Sequence, residues 1–313
     1  MSVRPPRPLP PAQQSLMREA VRLEWITVAA MAAVTVLMYL SAGQSQAMKT
    51  AWIEDLLSLV PPAAFLAAAA FSRRPPDEEF VNGRFRAFDI TFLVSAVALT
   101  GVGLGLVYDG LRALLTREHP SIGSIQVGDQ LVWQGWWMMA ALVISSIPPV
   151  ILGRRKLKLA RALHLKPLRT DADMNKADWM TGLAGIGGVA GIGLGWWWAD
   201  AAAALFISVS VLRDGLSNLK YAMRDLHDAR PETTERGSGD PLVGRVCAAV
   251  AALPWVLRCE ARLHEEGMRV SGIVHVWPRD ERSLRDRLHE AERTAREVHW
   301  RIDEVTVAPG EEE

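Results

Sequence analysis

The sequence has few of the residues that build enzyme sites. Only two of its 313 residues are cysteines, Cys247 and Cys259, and all seven histidines lie outside the long apolar segments. The spacing of the cysteines matches no paired metal-ligand pattern, so we interpret them as packing residues that stay reduced in the cytoplasm. The glycine-rich run GIGGVAGIGLG lacks the Lys-Ser/Thr of a phosphate-binding loop. No nucleophile is paired with a histidine, so the sequence predicts neither an enzyme nor a bound cofactor.

Charged residues are scarce in six stretches of near-bilayer length. A helix needs about 20 apolar residues to cross the hydrocarbon core of a membrane. The stretches cover residues 25–42, 56–71, 90–115, 131–152, 177–198 and 201–219. The second contains Pro61 and Pro62, and it is long enough only if it extends backwards through Glu54 and Asp55. We therefore predict an α-helical membrane protein with a six-helix transmembrane bundle at residues 24–219, embedded in the lipid bilayer.

Basic residues are rare in every second connection, and this asymmetry predicts the orientation. Arginine and lysine cluster before the first segment, between the second and third, and between the fourth and fifth. The other connections contain only Lys49 in one, Arg117 in another and none in the last. Because basic residues stay on the cytoplasmic side, we expect both termini in the cytoplasm and the protein in the inner (plasma) membrane. The 35 basic and 35 acidic residues balance, so nucleic acid is not an expected partner.

The two ends of the chain differ from the apolar segments in composition. Residues 1–23 are too rich in proline for the apolar core of a cleavable signal, and we expect a disordered cytoplasmic leader there. Residues 220–239 are polar and predict a linker. Residues 240–313 predict a small cytoplasmic α/β domain with the order helix, strand, strand, helix, strand. Such a small core is marginal by itself, so we expect this domain to dimerise.

Two patterns carry the prediction for the small domain. Alternation of apolar and polar residues is typical of a half-buried strand, and it is formed by Leu257, Cys259, Ala261 and Leu263. Apolar residues at spacings of three and four are typical of an amphipathic helix, and they are Leu284, Leu288, Ala291, Ala295 and Val298.

Acidic residues at the entrance of the fifth apolar segment suggest a cation site. Asp178 opens this segment, and Met174 lies four residues earlier, which places both side chains on one helix face. An acid at or inside a bilayer-length segment is costly and is typical of an ion pathway. Asp178 therefore predicts a cation site inside a helical bundle.

Two segments make the chain similar to a known family of transporters. The loop SRRPPDEEFVNGRFRA and the segment WADAAAALFISVSVLRDGLSNLKYAMRDLHDARP resemble the second connection and the sixth span of the cation diffusion facilitator family. The resemblance implies six spans, cytoplasmic termini and a ferredoxin-like carboxy-terminal domain of the metallochaperone type. It also implies a homodimer, formed through the carboxy-terminal and transmembrane domains, that exports a divalent metal cation in exchange for protons.

The resemblance also implies the positions of the metal ligands. The family's pair on the second span falls on Glu54 and Ser58, and its pair on the fifth span falls on Met174 and Asp178. Two carboxylates are thus kept, while a hydroxyl and a thioether replace the other two ligands. Zinc favours imidazole, thiolate and carboxylate, so it suits these four residues poorly. Manganese or another hard cation suits the carboxylates, whereas Met174 suits a softer cation, so the ligand set is mixed.

Further carboxylates near these positions are auxiliary candidates for metal binding. They are Asp55 beside Glu54, Asp171 and Asp173 before Met174, and Asp77 in the second connection. A water-bridged carboxylate can complete a coordination sphere from outside it. In the tail, His275 occupies a strand position that commonly holds a metal-binding histidine in the family, but no second histidine follows it near the carboxy end.

The altered ligand set leaves three functions open. The first is export of a divalent cation by proton antiport. The second is a non-transporting family member that acts as a scaffold or a heterodimer partner. The third is transport of a monovalent ion or of protons alone, which needs fewer ligands.

Overall fold

The computed structural model describes residues 7–80, 83–117, 121–127, 130–233, 239–280 and 282–310. The side chains of residues 125, 127, 130, 170, 173, 174 and 176–178 lie outside this description. A helical membrane-type domain is followed by a small carboxy-terminal domain that contains a β-sheet.

The membrane-type domain is built from seven helices of the described chain. They are α1 (Pro11–Ser41), α2 (Gln46–Leu57), α3 (Val60–Ser72), α4 (Ala87–Leu115), α5 (Gln134–Leu163), α6 (Lys166–Gly193) and α7 (Ala199–Leu226). Strands β1 (Ser124–Val127) and β2 (Gln130–Trp133) form a hairpin before α5. Helix α4 packs along α7, α5 along α6, and α1 along α5.

Four helical segments of the described residues are long and apolar enough to cross a membrane. They are Pro11–Ser41, Gln46–Ser72, Ala87–Leu115 and Gln134–Leu163. Helix α6 is strongly apolar only over Trp179–Gly193, and α7 carries Asp200, Arg213 and Asp214. The turn between α6 and α7 is rich in tryptophan, and Gly195 lies in it with a φ of +84°.

The second apolar segment extends backwards through Glu54, as its length required. It is two helices with a break at Ser58 and Leu59. Proline has no N–H, so Pro61 and Pro62 cannot donate to the carbonyls of Leu57 and Ser58. The break therefore follows from the proline pair.

The amino end of α2 is fixed by a buried carboxylate of α7. Asp200 accepts hydrogen bonds from the Ser45 hydroxyl at 2.6 Å and from the backbone N–H of Ala47 at 3.2 Å. Ser45 in turn caps α2 by accepting the N–H of Met48. Helix α2, which carries Glu54, is thus tied to the start of α7.

Two predicted boundaries are wrong in the structure. The expected disordered leader at residues 1–23 is helical from Pro11 onward, because proline is well placed in a first helical turn and Ala20 and Leu23 are buried in the bundle. The expected linker at 220–239 is helical up to Leu226, where α7 ends.

The carboxy-terminal domain has the predicted order of elements. Helix α8 (Pro241–Ala251) is followed by β3 (Val256–Glu266), β4 (Arg269–Pro278), α9 (Leu284–Glu297) and β5 (Ile302–Pro309). The sheet order is β3-β4-β5, antiparallel in the first pair and parallel in the second. Both helices pack on the core of the sheet, in which Ala291 and Ala295 of α9 are fully buried.

One strand residue departs from the expected pattern, and the two free cysteines lie against each other. A register shift between Val256 and Arg258 buries Val256 and leaves Leu257 68 % exposed, because a bulge reverses the alternation of faces. The Sγ atoms of Cys247 and Cys259 lie 2.6 Å apart, between α8 and β3. Burial raises the pKa of the Cys259 thiol, so this side chain stays protonated.

The turn between β3 and β4 inserts into one end of the bundle. Met268 is buried there among Phe88 of α4 and Leu165 and Leu168 at the start of α6. The N–H of Gly267 donates to Asp89 of α4 at 3.0 Å. The tail therefore contacts the end of the bundle at which α6 begins.

Candidate functional site between α2 and α6

The long helices bring the two predicted ligand pairs to similar depths in the bundle. Glu54 lies eight residues after the start of α2 at Gln46, which is about 12 Å along the axis. Asp178 lies twelve residues after the start of α6 at Lys166, which is about 18 Å from the opposite end. Helix α6 begins eleven residues before the apolar stretch at 177, and it packs against α2 and α3.

The second-segment pair occupies the end of α2. Glu54 and Asp55 are half-buried, and Ser58 is buried at the helix break. The Ser58 hydroxyl donates to the carbonyl of Glu54 at 3.1 Å, which holds it against its own helix. The two residues therefore lie one turn apart beside a broken helix, where the carbonyls of Leu57 and Ser58 lack helical N–H donors.

The fifth-segment pair is defined by its backbone. Met174 and Asp178 lie one turn apart in α6, and Asp173 directly precedes Met174. The side chains of all three residues lie outside the described part of the structure. Their contacts with Glu54 and Ser58 are therefore a prediction from helix position.

Close packing of small residues fixes α6 against α2 and α7. A Cβ atom built on Gly188 would lie 2.8 Å from the Cβ of Ala203 in α7 and 3.2 Å from the Cβ of Ala47 in α2. Such distances leave no room for a side chain at this position. Gly187, the next residue, has open space at its Cβ position. The three helices thus meet at Gly188, ten residues beyond Asp178 along α6.

Asp171 is held in a buried ion cluster that the sequence did not predict. The ammonium of Lys156 in α5 donates to Asp171 Oδ2 and lies 2.9 Å from Glu24 Oε2 in α1. Glu24 and Lys156 are fully buried, and Asp171 is 4 % exposed. Asn175, one turn along α6, contacts Asp171 Oδ1 at 3.4 Å. The cluster, called the bundle triad below, joins α1, α5 and α6 through Glu24, Lys156 and Asp171.

A cavity runs from the bundle triad to the break in the second segment. Its polar lining consists of Thr91 and Ser95 of α4, Asp171 of α6 and Asn218 of α7. Apolar side chains complete the wall, and they are Leu57, Val60, Pro61, Ala64, Phe65, Phe92, Ala96, Leu99 and Pro167. Because Leu57 directly precedes Ser58, the cavity ends beside the predicted ligands.

The remaining auxiliary candidates lie elsewhere. Asp77, in the connection between α3 and α4, pairs with Arg84 and accepts the N–H of Phe80 at 2.8 Å, and these hydrogen bonds lower its pKa. His275 is half-buried on β4 opposite Glu260 of β3. Among the side chains that the structure describes, no three His, Cys, Asp or Glu residues are grouped to hold a metal ion.

A second ion cluster lies where the tail meets the bundle. Arg301 of the tail pairs with Asp240 at the start of α8 and with Glu265 at the end of β3. Glu265 also pairs with Lys166, which lies 2.9 Å from Asp225 of α7. We call Arg301, Asp240, Glu265, Lys166 and Asp225 the junction cluster.

His164, in the connection between α5 and α6, lies beside the junction cluster. Burial and the nearby positive charge of Arg301 lower the pKa of His164 to about 4. Its imidazole is therefore neutral at physiological pH.

Sequence reasoning missed Glu24 and Lys156. Lys156 stands among exposed basic residues of α5, where its neighbours Arg154, Arg155 and Lys158 face outward. Glu24 directly precedes the first apolar stretch. Their position along the helix was the available signal, because both residues fall on the buried face of their helices. Their charge instead suggested that both side chains were exposed to solvent.

Comparison with known proteins agrees with this architecture. Residues 24–227 match the family model of the cation efflux transmembrane domain, which describes transporters rather than enzymes. The manganese efflux system protein MneS of Bacillus subtilis (strain 168) is 21 % identical over 203 residues. That alignment covers 62 % of this chain and 66 % of the relative, just under two thirds of its length. The matched region contains most of the bundle, from Glu24 in α1 to His227 after α7, so this multi-pass membrane protein belongs to the cation efflux (cation diffusion facilitator) family.

Proposed function

We propose that the protein exports a divalent metal cation from the cytoplasm in exchange for protons. The observation that carries this proposal is the cavity in the bundle, which is lined by Asp171 of α6 and reaches Leu57 at the end of α2. Membership of a cation efflux family supports it independently. Manganese is the first cation to test, because carboxylate and carbonyl oxygens suit it and because one relative is named for manganese efflux.

The proposed binding site lies between α2 and α6. Glu54 and Asp178 supply the charged oxygens, and Ser58 and Met174 complete the four positions that the family uses. Water or Asp55 and Asp173 fill the remaining coordination of a hard cation. Protons and metal compete for the same carboxylate oxygens, since a ligand must be deprotonated to bind metal. This competition couples export of the cation to entry of protons.

The proposed arrangement in the membrane has six spans. Segments α1, α2–α3, α4, α5, α6 and α7 each cross the inner membrane, and the short apolar part of α6 is extended by polar turns that line the cavity. Both termini then lie in the cytoplasm. The carboxy-terminal domain, with its αββαβ order, is a ferredoxin-like unit through which two copies form a homodimer, together with contacts in the membrane.

Flux into liposomes tests the proposal. Purified protein is reconstituted, and uptake of manganese, iron, cobalt, nickel, zinc and cadmium is measured under an imposed pH gradient. We expect metal-dependent proton movement in the wild type and its loss in Asp178→Asn and Glu54→Gln. Glu78→Gln, an exposed acid in the connection between α3 and α4, is the matched control and retains full flux.

A scaffold function is the second candidate, and the replacement of two ligands by Ser58 and Met174 favours it. In that case every metal gives no flux from a folded protein, and Asp178→Asn behaves like the wild type in cells. Flux of protons without any added divalent metal would instead indicate transport of a monovalent ion or of protons alone.

A further inference from the structure

We propose that the cavity beside α6 contains a second site for the transported divalent cation, and that Asp171 is its charged ligand. This inference rests on the proposed function for the identity of the cation. It adds a binding step before the site between α2 and α6.

The lining of the cavity supplies suitable ligand atoms. Asp171, Asn218, Ser95 and Thr91 come from three helices, α6, α7 and α4, and all line the same space. They provide carboxylate, amide and hydroxyl oxygens, which hard divalent cations prefer to nitrogen or sulfur. The three most buried of them, Asp171, Asn218 and Ser95, are 4 %, 5 % and 8 % exposed.

The bundle triad places two carboxylates on a single ammonium at this end of the cavity. Glu24 and Asp171 share the single ammonium of Lys156, so the triad carries one more negative than positive charge when all three groups are ionised. Burying an uncompensated charge is costly. Glu24 Oε1 receives no hydrogen bond among the described residues. A cation in the cavity, next to Asp171, reduces this imbalance.

The position of Asp171 fits an entry site rather than the central site. Asp171 and Asp178 are seven residues apart in α6, which is two turns or about 10 Å along one helix face. The cavity continues from Asp171 to Leu57, beside Ser58. A cation held at Asp171 is therefore already inside the bundle and one step from the ligands at the end of α2.

A single carboxylate favours weak binding, which suits a site of passage. Magnesium-like cations keep several water molecules when they bind through one or two carboxylates. Binding along a pathway must be strong enough for entry and weak enough for release. Lys156 weakens the site further, because its ammonium competes with the cation for the same carboxylate.

Binding of Mn²⁺ to the purified protein tests the inference without requiring transport. The measurement is the loss of the free Mn²⁺ electron paramagnetic resonance signal. The background variant is Asp178→Asn, in which the site between α2 and α6 is impaired. We expect weak residual binding in Asp178→Asn and its loss on adding Asp171→Asn.

Glu24→Gln is the matched control. It removes the same charge from the same ion cluster and leaves Lys156 with one carboxylate, as Asp171→Asn does, but Glu24 does not line the cavity. Because Glu24 supplies no ligand atom to the cavity, the double variant Asp178→Asn with Glu24→Gln should lose less of the residual binding than Asp178→Asn with Asp171→Asn. Equal binding in the two double variants, both monodisperse after purification, overturns the inference.

Transport kinetics separate this inference from the proposed function. In an active protein, Asp171→Asn should raise the KM for the cation about tenfold with a maximal rate within about twofold, while Glu24→Gln should raise the KM by less. If both variants lower the maximal rate equally at unchanged KM, Asp171 is only structural. Absence of flux in the wild type contradicts the proposed function, while the binding experiment still decides the inference.

Discussion

The bundle triad and the junction cluster bury similar charges in different surroundings. In the bundle, one lysine is shared by Glu24 and Asp171, and Asp171 lines a cavity. At the junction, Arg301 and Lys166 both pair with Glu265. Asp240 also accepts the N–H of Leu242 at 2.9 Å. Glu265 is thus held by two cations and Asp240 by a cation and a backbone N–H, whereas the two triad carboxylates share one ammonium.

This difference separates a structural use of buried charge from a functional one. A carboxylate held by several donors fixes elements in place, and the junction cluster joins α6, α7, β3 and α8 in this way. A carboxylate that shares one base and faces a cavity is available to another cation. Buried carboxylates therefore hold the tail on the bundle in the junction cluster. In the bundle triad, we propose, a carboxylate receives the transported cation.

Removing the shared base from each cluster is the strongest way to break the comparison. Lys156→Met leaves two buried carboxylates without their cation, and we expect it to cost about 3–5 kcal/mol of stability. Arg301→Met should cost less, because Glu265 keeps its pair with Lys166 and only Asp240 loses its cation. Only Lys156→Met should also tighten the binding of Mn²⁺, because it frees Asp171. The thermal unfolding midpoint and the binding curve measure both effects.

The conservative variants Lys156→Arg and Arg301→Lys keep the charge and serve as controls for these two changes. Tighter Mn²⁺ binding in Arg301→Met as well would contradict the division between the clusters.

Glycine substitutions compare the packing of the bundle with that of the tail, and we expect them to cost less stability than the loss of Lys156. Gly188→Ala in the bundle and Gly272→Ala in the tail both place a methyl group where none fits, and we expect a loss of about 1–3 kcal/mol for each. Gly272 has a φ of +147°, and its added Cβ would lie 2.2 Å from the carbonyl oxygen of Arg262. Thermal unfolding measures the loss.

Neighbouring glycines with open space are the controls for these changes. Gly187→Ala and Gly244→Ala meet nothing within 4 Å and should not lower the midpoint, since alanine favours helix. Only Gly188→Ala should also reduce metal flux, because it moves α6 away from α2. Normal flux in a folded Gly188→Ala protein would show that this contact does not position the site.

Acid should lower the stability of the junction more than that of the bundle. We expect this to be the smallest of the predicted changes in stability. The folded-state pKa of His164 is about 4, below the ordinary value of 6.5, so the unfolded chain binds this proton first. The stability that neutral His164 contributes is complete above pH 6.5 and is lost as the pH falls towards 4. The unfolding midpoint should fall between pH 7.5 and 5.5, and by less in His164→Gln. An equal fall in both proteins would contradict this assignment.

Much of the fold could be predicted from the sequence because its signals are local. The order of elements in the tail follows from alternation and helical spacing, and the backward extension of the second segment through Glu54 follows from length. The start of α1 at Pro11 could not be predicted in this way, since the helix there is stabilised by packing of Ala20 and Leu23 against the bundle.

The candidate site could be predicted only in part. Glu54 and Ser58 were placed by resemblance, and the structure puts them one turn apart at a helix break that the proline pair explains. The pairing of Lys156 with Asp171 joins residues on two helices, and no local pattern encodes it. For this reason Asp171 was expected as an auxiliary ligand, while its ammonium partner was not expected at all.

Equilibrium dialysis of divalent cations against the purified protein tests the central claim most directly. The account predicts saturable binding of Mn²⁺ or another divalent cation to the wild type, with a large loss of affinity in both Glu54→Gln and Asp178→Asn and none in Glu78→Gln. Equal binding in all four proteins, or none in any of them across the six metals, would contradict a cation site between α2 and α6.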